Sequence, residues 1–124
     1  MKTIKGFQLI AAERKRQIEA EGWSPEHDDE HGADTLELAA LSYRDAVGED
    51  CAQPKQWPWD AKWWKPKSRQ RNLERAGALY QAAADVAERG HDYQRRDRLE
   101  DHVSSCSLLL DSIIAATAKG SSQQ

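Results

Sequence analysis

The sequence predicts an all-α fold: a four-helix bundle-like single domain with a long Trp/Pro-rich loop between its second and third helices. Three observations carry this. Apolar residues recur at helical spacing in four separate segments, and no stretch alternates convincingly with period two. Glycines stand where those segments end, at Gly22, Gly48, Gly90 and Gly120. Three of the four prolines fall in residues 53–69, QPKQWPWDAKWWKPKSR, between the second and third segments.

The first helix is expected from about Thr3 to Gly22, with Ile4, Phe7, Ile10, Ala11 and Ile18 on one side. The second opens at Asp34, where D-T-L-E places Glu37 three residues after a capping acceptor. It turns Leu36, Ala40, Tyr43 and Val47 one way and ends near Gly48. The third starts at Ser68 and runs to about Arg89, with Leu73, Ala76, Tyr80, Ala83, Ala84 and Ala87 on a broad face that a neighbour can approach closely. The fourth covers about Asp92 to Lys119, with Leu99, Val103, Cys106, Leu110, Ile113 and Ile114 as its stripe. Its run SLLLDSIIAA is too broadly apolar for one buried face, which predicts a homo-oligomer or a central place for this helix. The domain is thus expected over residues 1–119, and residues 120–124 form a disordered polar tail.

A chain of 124 residues fits one domain with its own core. Its net charge of −3, with 31% charged residues, argues against a general polyanion binder. No helix-turn-helix or RNA-binding signature is present, so direct nucleic-acid binding is the least supported class. Cys51 and Cys106 lack metal-type spacing, and Cys106 falls on the apolar stripe as a reduced core thiol. The N-terminal MKTIKGFQLIAAERKRQ has only a short apolar run before charge begins, unlike a signal peptide or a membrane span. A cytoplasmic location is expected.

Two connections carry the chemistry. Residues 26–31, EHDDEH, follow the helix-start pair Ser24-Pro25. A turn of helix there puts His27 and His31 at i and i+4, and imidazole with carboxylate at that spacing can hold a divalent ion. The candidate metal set is His27, Asp28, His31, Glu37, Asp85 and Glu88, with Mg²⁺ or Mn²⁺ as the ion. The same residues also suit a solvated acidic turn at the positive end of a helix dipole. Both roles stay open.

The second connection holds Trp57, Trp59, Trp63 and Trp64, with Lys62, Lys65, Lys67, Arg69 and Arg71 among and after them. Indoles stack on bases and cations meet phosphate, so these nine residues are the candidate binding set. The competing role is a lid that closes the bundle, with lysine stems lying along the rings. Adjacent Trp63 and Trp64 cannot easily bury in one direction, so at least one of them is expected to line a pocket.

ERKRQIEAEGWSPEHDDEH (13–31), followed by WPWDAKWWKPKSRQRNLERAGAL (57–79), resembles a group of small proteins encoded by phages and prophages. That group carries an ER-x-RQ…EGW-x-x-EHDD-x-H block and a WPW…WWKP…R-x-L…AGAL block in this order. The two blocks span residues 13–79, about half the chain. AKWWKPK and LELAA also look like parts of the all-helical nucleotide pyrophosphohydrolases of the MazG and dimeric dUTPase kind. That resemblance implies Mg²⁺ held by carboxylates of paired helices, with a tryptophan–lysine segment near the substrate. The chain departs from it: Asp85/Glu88 is one carboxylate pair, and the second helix offers only Glu37 and Asp45. Ala84 and Asn72 stand where the phage group carries acids.

The function expected from these resemblances is a phage-encoded accessory binding protein of the counter-defence type. It would act as an inhibitor through its Trp/Lys loop on a host protein or a small nucleotide, in a bacterial cytoplasm and with no required cofactor. The alternative is a metal-dependent nucleoside triphosphate pyrophosphohydrolase.

Overall fold

In the computed structural model, which describes residues 5–122, four helices follow one another: α1 Lys5–Glu19, α2 Pro25–Asp45, α3 Arg69–Arg89 and α4 Tyr93–Ser122. A single 3₁₀ turn, Ala61–Trp63, lies in the connection between α2 and α3, and no strand occurs among the described residues. The architecture is the all-α bundle that the four periodic segments predict.

Helix α3 is the central element, because α1, α2 and α4 all pack against it. Its composition permits this. Ala76, Ala78, Ala82, Ala83, Ala84 and Ala87 are buried around most of its circumference, with Leu73, Leu79 and Tyr80 filling the wider gaps. On α4, Leu99, Val103, Cys106 and Leu110 form the buried stripe, while Ile113 and Ile114 are only partly covered. Leu108 and Leu109 are exposed, so the extra apolar width of α4 lies on its outer side. Burial pushes the Cys106 thiol up to about 11, and both cysteines are free.

Helix α1 differs most from its expected form. Its buried residues are Gly6, Ile10, Glu13 and Gln17, whereas Phe7, Ala11 and Ile18 are exposed; Ile4 lies outside the described residues. Apolar periodicity misleads here because the inner face of α1 is half polar. Two close approaches set its position. A Cβ on Gly6 would lie 2.3 Å from the Ser107 carbonyl oxygen of α4, and one on Gly77 would lie 2.5 Å from Ile10 Cδ1. The Gly6 N–H donates to Asp111 Oδ1 at 2.8 Å, so a carboxylate of α4 satisfies the first turn of α1.

Helix α2 starts at Pro25 rather than at Asp34. Ser24 is the cap, accepting from the His27 N–H at 3.2 Å, and proline takes the first helical position. Gly32 interrupts the helix with φ 81° and ψ 158°, a conformation that L side chains rarely adopt. Asp34 is therefore an interior residue just after that break, and it pairs with Arg95 of α4. At the other end of the chain, α4 continues through Gly120 to Ser122, so that glycine does not end it and the polar tail is helical at its start. No helix among the described residues is long and apolar enough to cross a membrane.

Candidate ligand-binding groove

The connection from Ala46 to Ser68 is held in place by its own polar groups. The buried Asn72 amide donates to the carbonyls of Ala46 (3.2 Å) and Lys67 (2.9 Å), and its oxygen accepts from the Lys67 N–H (2.7 Å). One side chain thus ties the exit of α2 to the entry of α3. Arg69 adds to this by donating to the carbonyls of Arg44 and Ala46. Ser68, where the third helix was expected to start, is the cap of α3, accepting from the Arg71 N–H at 3.2 Å.

Inside this frame the tryptophans divide by role. Trp57 is buried, and its indole N–H donates to the Asp60 carbonyl at 3.2 Å. Trp64 stacks on Tyr43 with centroids 4.9 Å apart and donates to the Cys51 carbonyl at 2.9 Å. These two rings close the bundle. Trp59 meets Trp57 edge-on at 5.3 Å and His31 at 5.3 Å. Trp63 is 56% exposed, with Lys62 and Lys65 over its ring at 5.3 and 5.8 Å.

The acidic–histidine turn supplies the facing wall. Trp23, just before α2, and His27 and His31 on its first turns follow at intervals of four. Trp23 stacks on His27 (5.4 Å, 13°), and His27 meets His31 edge-on at 4.6 Å. With Trp59, Trp57, Tyr43 and Trp64 they form one continuous series of aromatic contacts. A groove of about 560 Å³ lies along it, a volume suited to a small molecule. Its wall consists of Glu13, Arg16, Gln17 and Glu21 from the α1 side, Trp23 from the α1–α2 turn, His27, His31 and Tyr43 from α2, and Trp57, Trp59, Asp60, Trp63 and Lys65 from the connection between α2 and α3. Arg75 and Leu79 of α3 complete it.

Charge in the groove is ordered. Burial alone would push the Glu13 carboxyl up, but hydrogen bonds and charge from Arg16 and Arg71 outweigh it and hold Glu13 below its ordinary value. Arg16 is committed to Glu13 and Glu21, at 2.9 Å each. Lys65 and Arg75 also line the groove and have no carboxylate partner among the described residues. Arg75 lies over the Tyr43 ring at 5.5 Å and donates to the Lys65 carbonyl at 2.9 Å. Among the described residues five buried side-chain polar atoms have no hydrogen-bond partner; Gln17 Oε1, Trp59 Nε1 and Arg75 Nε belong to lining residues, and Arg14 Nη1 and Arg95 Nε lie elsewhere. Each such atom costs roughly 1–3 kcal/mol while it stays unpaired.

Of the nine residues predicted to bind, Trp57, Trp59, Trp63 and Lys65 line the groove, and Trp64 and Lys62 back its rings. Arg69 and Arg71 serve the framework instead, Arg69 on the end of α2 and Arg71 between Glu13 and Glu74. Lys67 is exposed and contributes its backbone N–H to Asn72.

The six candidate metal ligands do not form one constellation. Among the described residues no group of three or more His, Cys, Asp or Glu side chains is placed to hold an ion. Asp28 is fully buried, bonded to Arg14 at 2.5 Å and to His27 Nδ1 at 3.1 Å. Glu37 faces α4, bonded to Arg95 at 3.1 Å and Arg98 at 2.9 Å, whose hydrogen bonds lower its carboxyl. Glu88 pairs with Arg96 at 2.9 Å, and Asp85 accepts from Gln81 at 3.0 Å. Arginines hold most of the carboxylates that the metal reading would use.

Glu13, Gln17, Trp23 and Tyr43 of the groove were not singled out from sequence. The four-residue spacing of Trp23, His27 and His31 is the signal that could have found this wall. No protein-family model, no curated protein and no solved structure matches the chain.

Proposed function

We propose that the protein binds a small nucleotide in the tryptophan–histidine groove, acting as an accessory protein that sequesters such a ligand. One observation carries this reading: a concave site of about 560 Å³ is walled by aromatic rings and carries two cations, Lys65 and Arg75, without carboxylate partners among the described residues. Rings offer faces on which a base stacks, and free cations at the same site suit a phosphate. The concave form favours a small ligand over a host protein surface, because only Trp63 among the loop indoles is largely exposed and Trp57 is buried. A protein partner would instead meet several protruding anchors.

The test is a tryptophan-fluorescence titration with nucleoside mono- and triphosphates, on the wild type and on Trp63→Ala. Trp63 closes no core contact, so its removal leaves the fold standing. Saturable quenching is expected in the wild type. Base–aromatic stacking contributes roughly 1–3 kcal/mol, so Trp63→Ala is expected to weaken binding about 5- to 150-fold. No quenching by any nucleotide would refute the reading.

A further inference from the structure

Helix α4 carries two seams of the kind that pack helix against helix. Leu99, Val103, Cys106, Leu110 and Ile113 follow at alternating steps of four and three and face the core, the first four buried and Ile113 partly so. Asp101, Ser105, Leu108, Ser112 and Ala115 follow at the same steps, each two residues further on. Two residues turn a helix by about 200°, so this second seam lies on the outer side of α4. Among the described residues no element covers it. Leu108 is 68% exposed; Asp101, Ser112 and Ala115 are exposed too, as is Leu109 beside them.

The helix also outruns the bundle. It has 30 residues, and α3, to which a short turn joins it, has 21, a difference of about 13 Å at the usual helical rise. From Asp111 to Ala118 no residue is buried, yet the backbone stays helical. The apolar width of α4 admits two explanations, a central place in the bundle or a second copy of the chain, and α3 holds the central place.

We infer that the outer seam of α4 binds a second copy of the chain, helix against helix and antiparallel, about a twofold axis level with Leu110. The occupant follows from the seam's own sequence. In that register Leu108 of one protomer faces Ser112 of its partner, and Ser105 faces Ala115, so each leucine meets a small residue that admits it. Positions 101 and 119 also stand opposite each other, and the sequence gives them Asp and Lys, opposite charges at both ends of an otherwise uncharged seam. A parallel pair would set Asp101 against its own copy. No α4 residue lines the aromatic groove, so this surface is separate from the nucleotide site.

Sedimentation equilibrium of the full chain tests this, on the wild type, Leu108→Glu, Asp101→Lys, Lys119→Asp and the double variant Asp101→Lys/Lys119→Asp. The wild type is expected to be a dimer at about 100 μM. Leu108→Glu is expected to be a monomer with the circular dichroism of the wild type, because the leucine it replaces is exposed. Each single charge reversal is expected to weaken the dimer about tenfold, since the pair occurs twice about the axis. The double variant exchanges the two charges and is expected to return to within about threefold of the wild type. The charge variants keep Leu108, which covers the case of a misfolded Leu108→Glu. A wild type that stays monomeric at that concentration, or a dimer that survives in folded Leu108→Glu, would overturn the proposal. A double variant no tighter than the single ones would overturn the antiparallel pairing.

Discussion

Two residues at the turn behind the groove show what its scaffold requires. Asp28 is fully buried and Arg14 nearly so, and their contact joins α1 to the start of α2. Arg14→Met would leave a carboxylate in the interior without its cation, and a loss of roughly 3–5 kcal/mol is expected in urea unfolding. An unchanged midpoint would show that Asp28 has another partner. His31 is the pH-sensitive part. Burial and the nearby His27 lower its pKa from 6.5, outweighing Asp28 and Glu30, so the fold favours the neutral ring. Its contribution is complete above 6.5 and is lost as pH falls through the lowered value. The wild type should therefore lose more thermal stability than His31→Gln on acidification from neutral pH to about 5. Equal losses would place the titration elsewhere. Little of this was legible in EHDDEH, which reads equally as a metal site. A carboxylate's role depends on which arginine reaches it, and Arg14, Arg89, Arg95 and Arg98 arrive from other helices.

Among the elements, α3 was the most legible and α1 the least. The alanine-rich face of α3 has one consistent use, close packing, and Leu73, Ala76, Tyr80, Ala83, Ala84 and Ala87 are all buried as expected. Helix α1 turns Glu13 and Gln17 inward because they border a cavity, and apolar periodicity carries no signal for a polar inner face. Its register depends on Gly6. Because the obstructing atom is backbone, Gly6→Ala cannot be relieved by a side-chain rotation, and a loss of roughly 1–3 kcal/mol is expected in thermal unfolding. A neutral effect would mean that α1 can slide along α4. The α3–α4 turn offers the opposite case. His91 has φ 62°, a left-handed conformation that glycine adopts without strain, and the residue is exposed. His91→Gly is expected to raise the melting temperature, and a fall would show that the His91–Tyr93 contact outweighs the strain.

At the scale of the whole molecule, the sequence placed the tryptophans in one connection but could not say which of them seal the bundle. That division depends on partners far along the chain. Trp64 reaches the Cys51 carbonyl and the Tyr43 ring, whereas Trp59 meets His31 from the start of α2. The two sequence features that looked separate, the acidic–histidine turn and the tryptophan connection, are opposite walls of one groove because α2 and α3 pack side by side. Its rings, its free cations and its unpaired polar atoms lie in that one place. The most direct test follows the indole N–H signals in a ¹⁵N-correlated spectrum as a nucleotide is added. Trp57 and Trp64 already donate to carbonyls, and Trp59 does not. Binding in the groove should move the Trp59 signal most, downfield as its N–H gains an acceptor, and the Trp57 and Trp64 signals less. A titration that leaves the Trp59 signal in place would contradict the nucleotide groove.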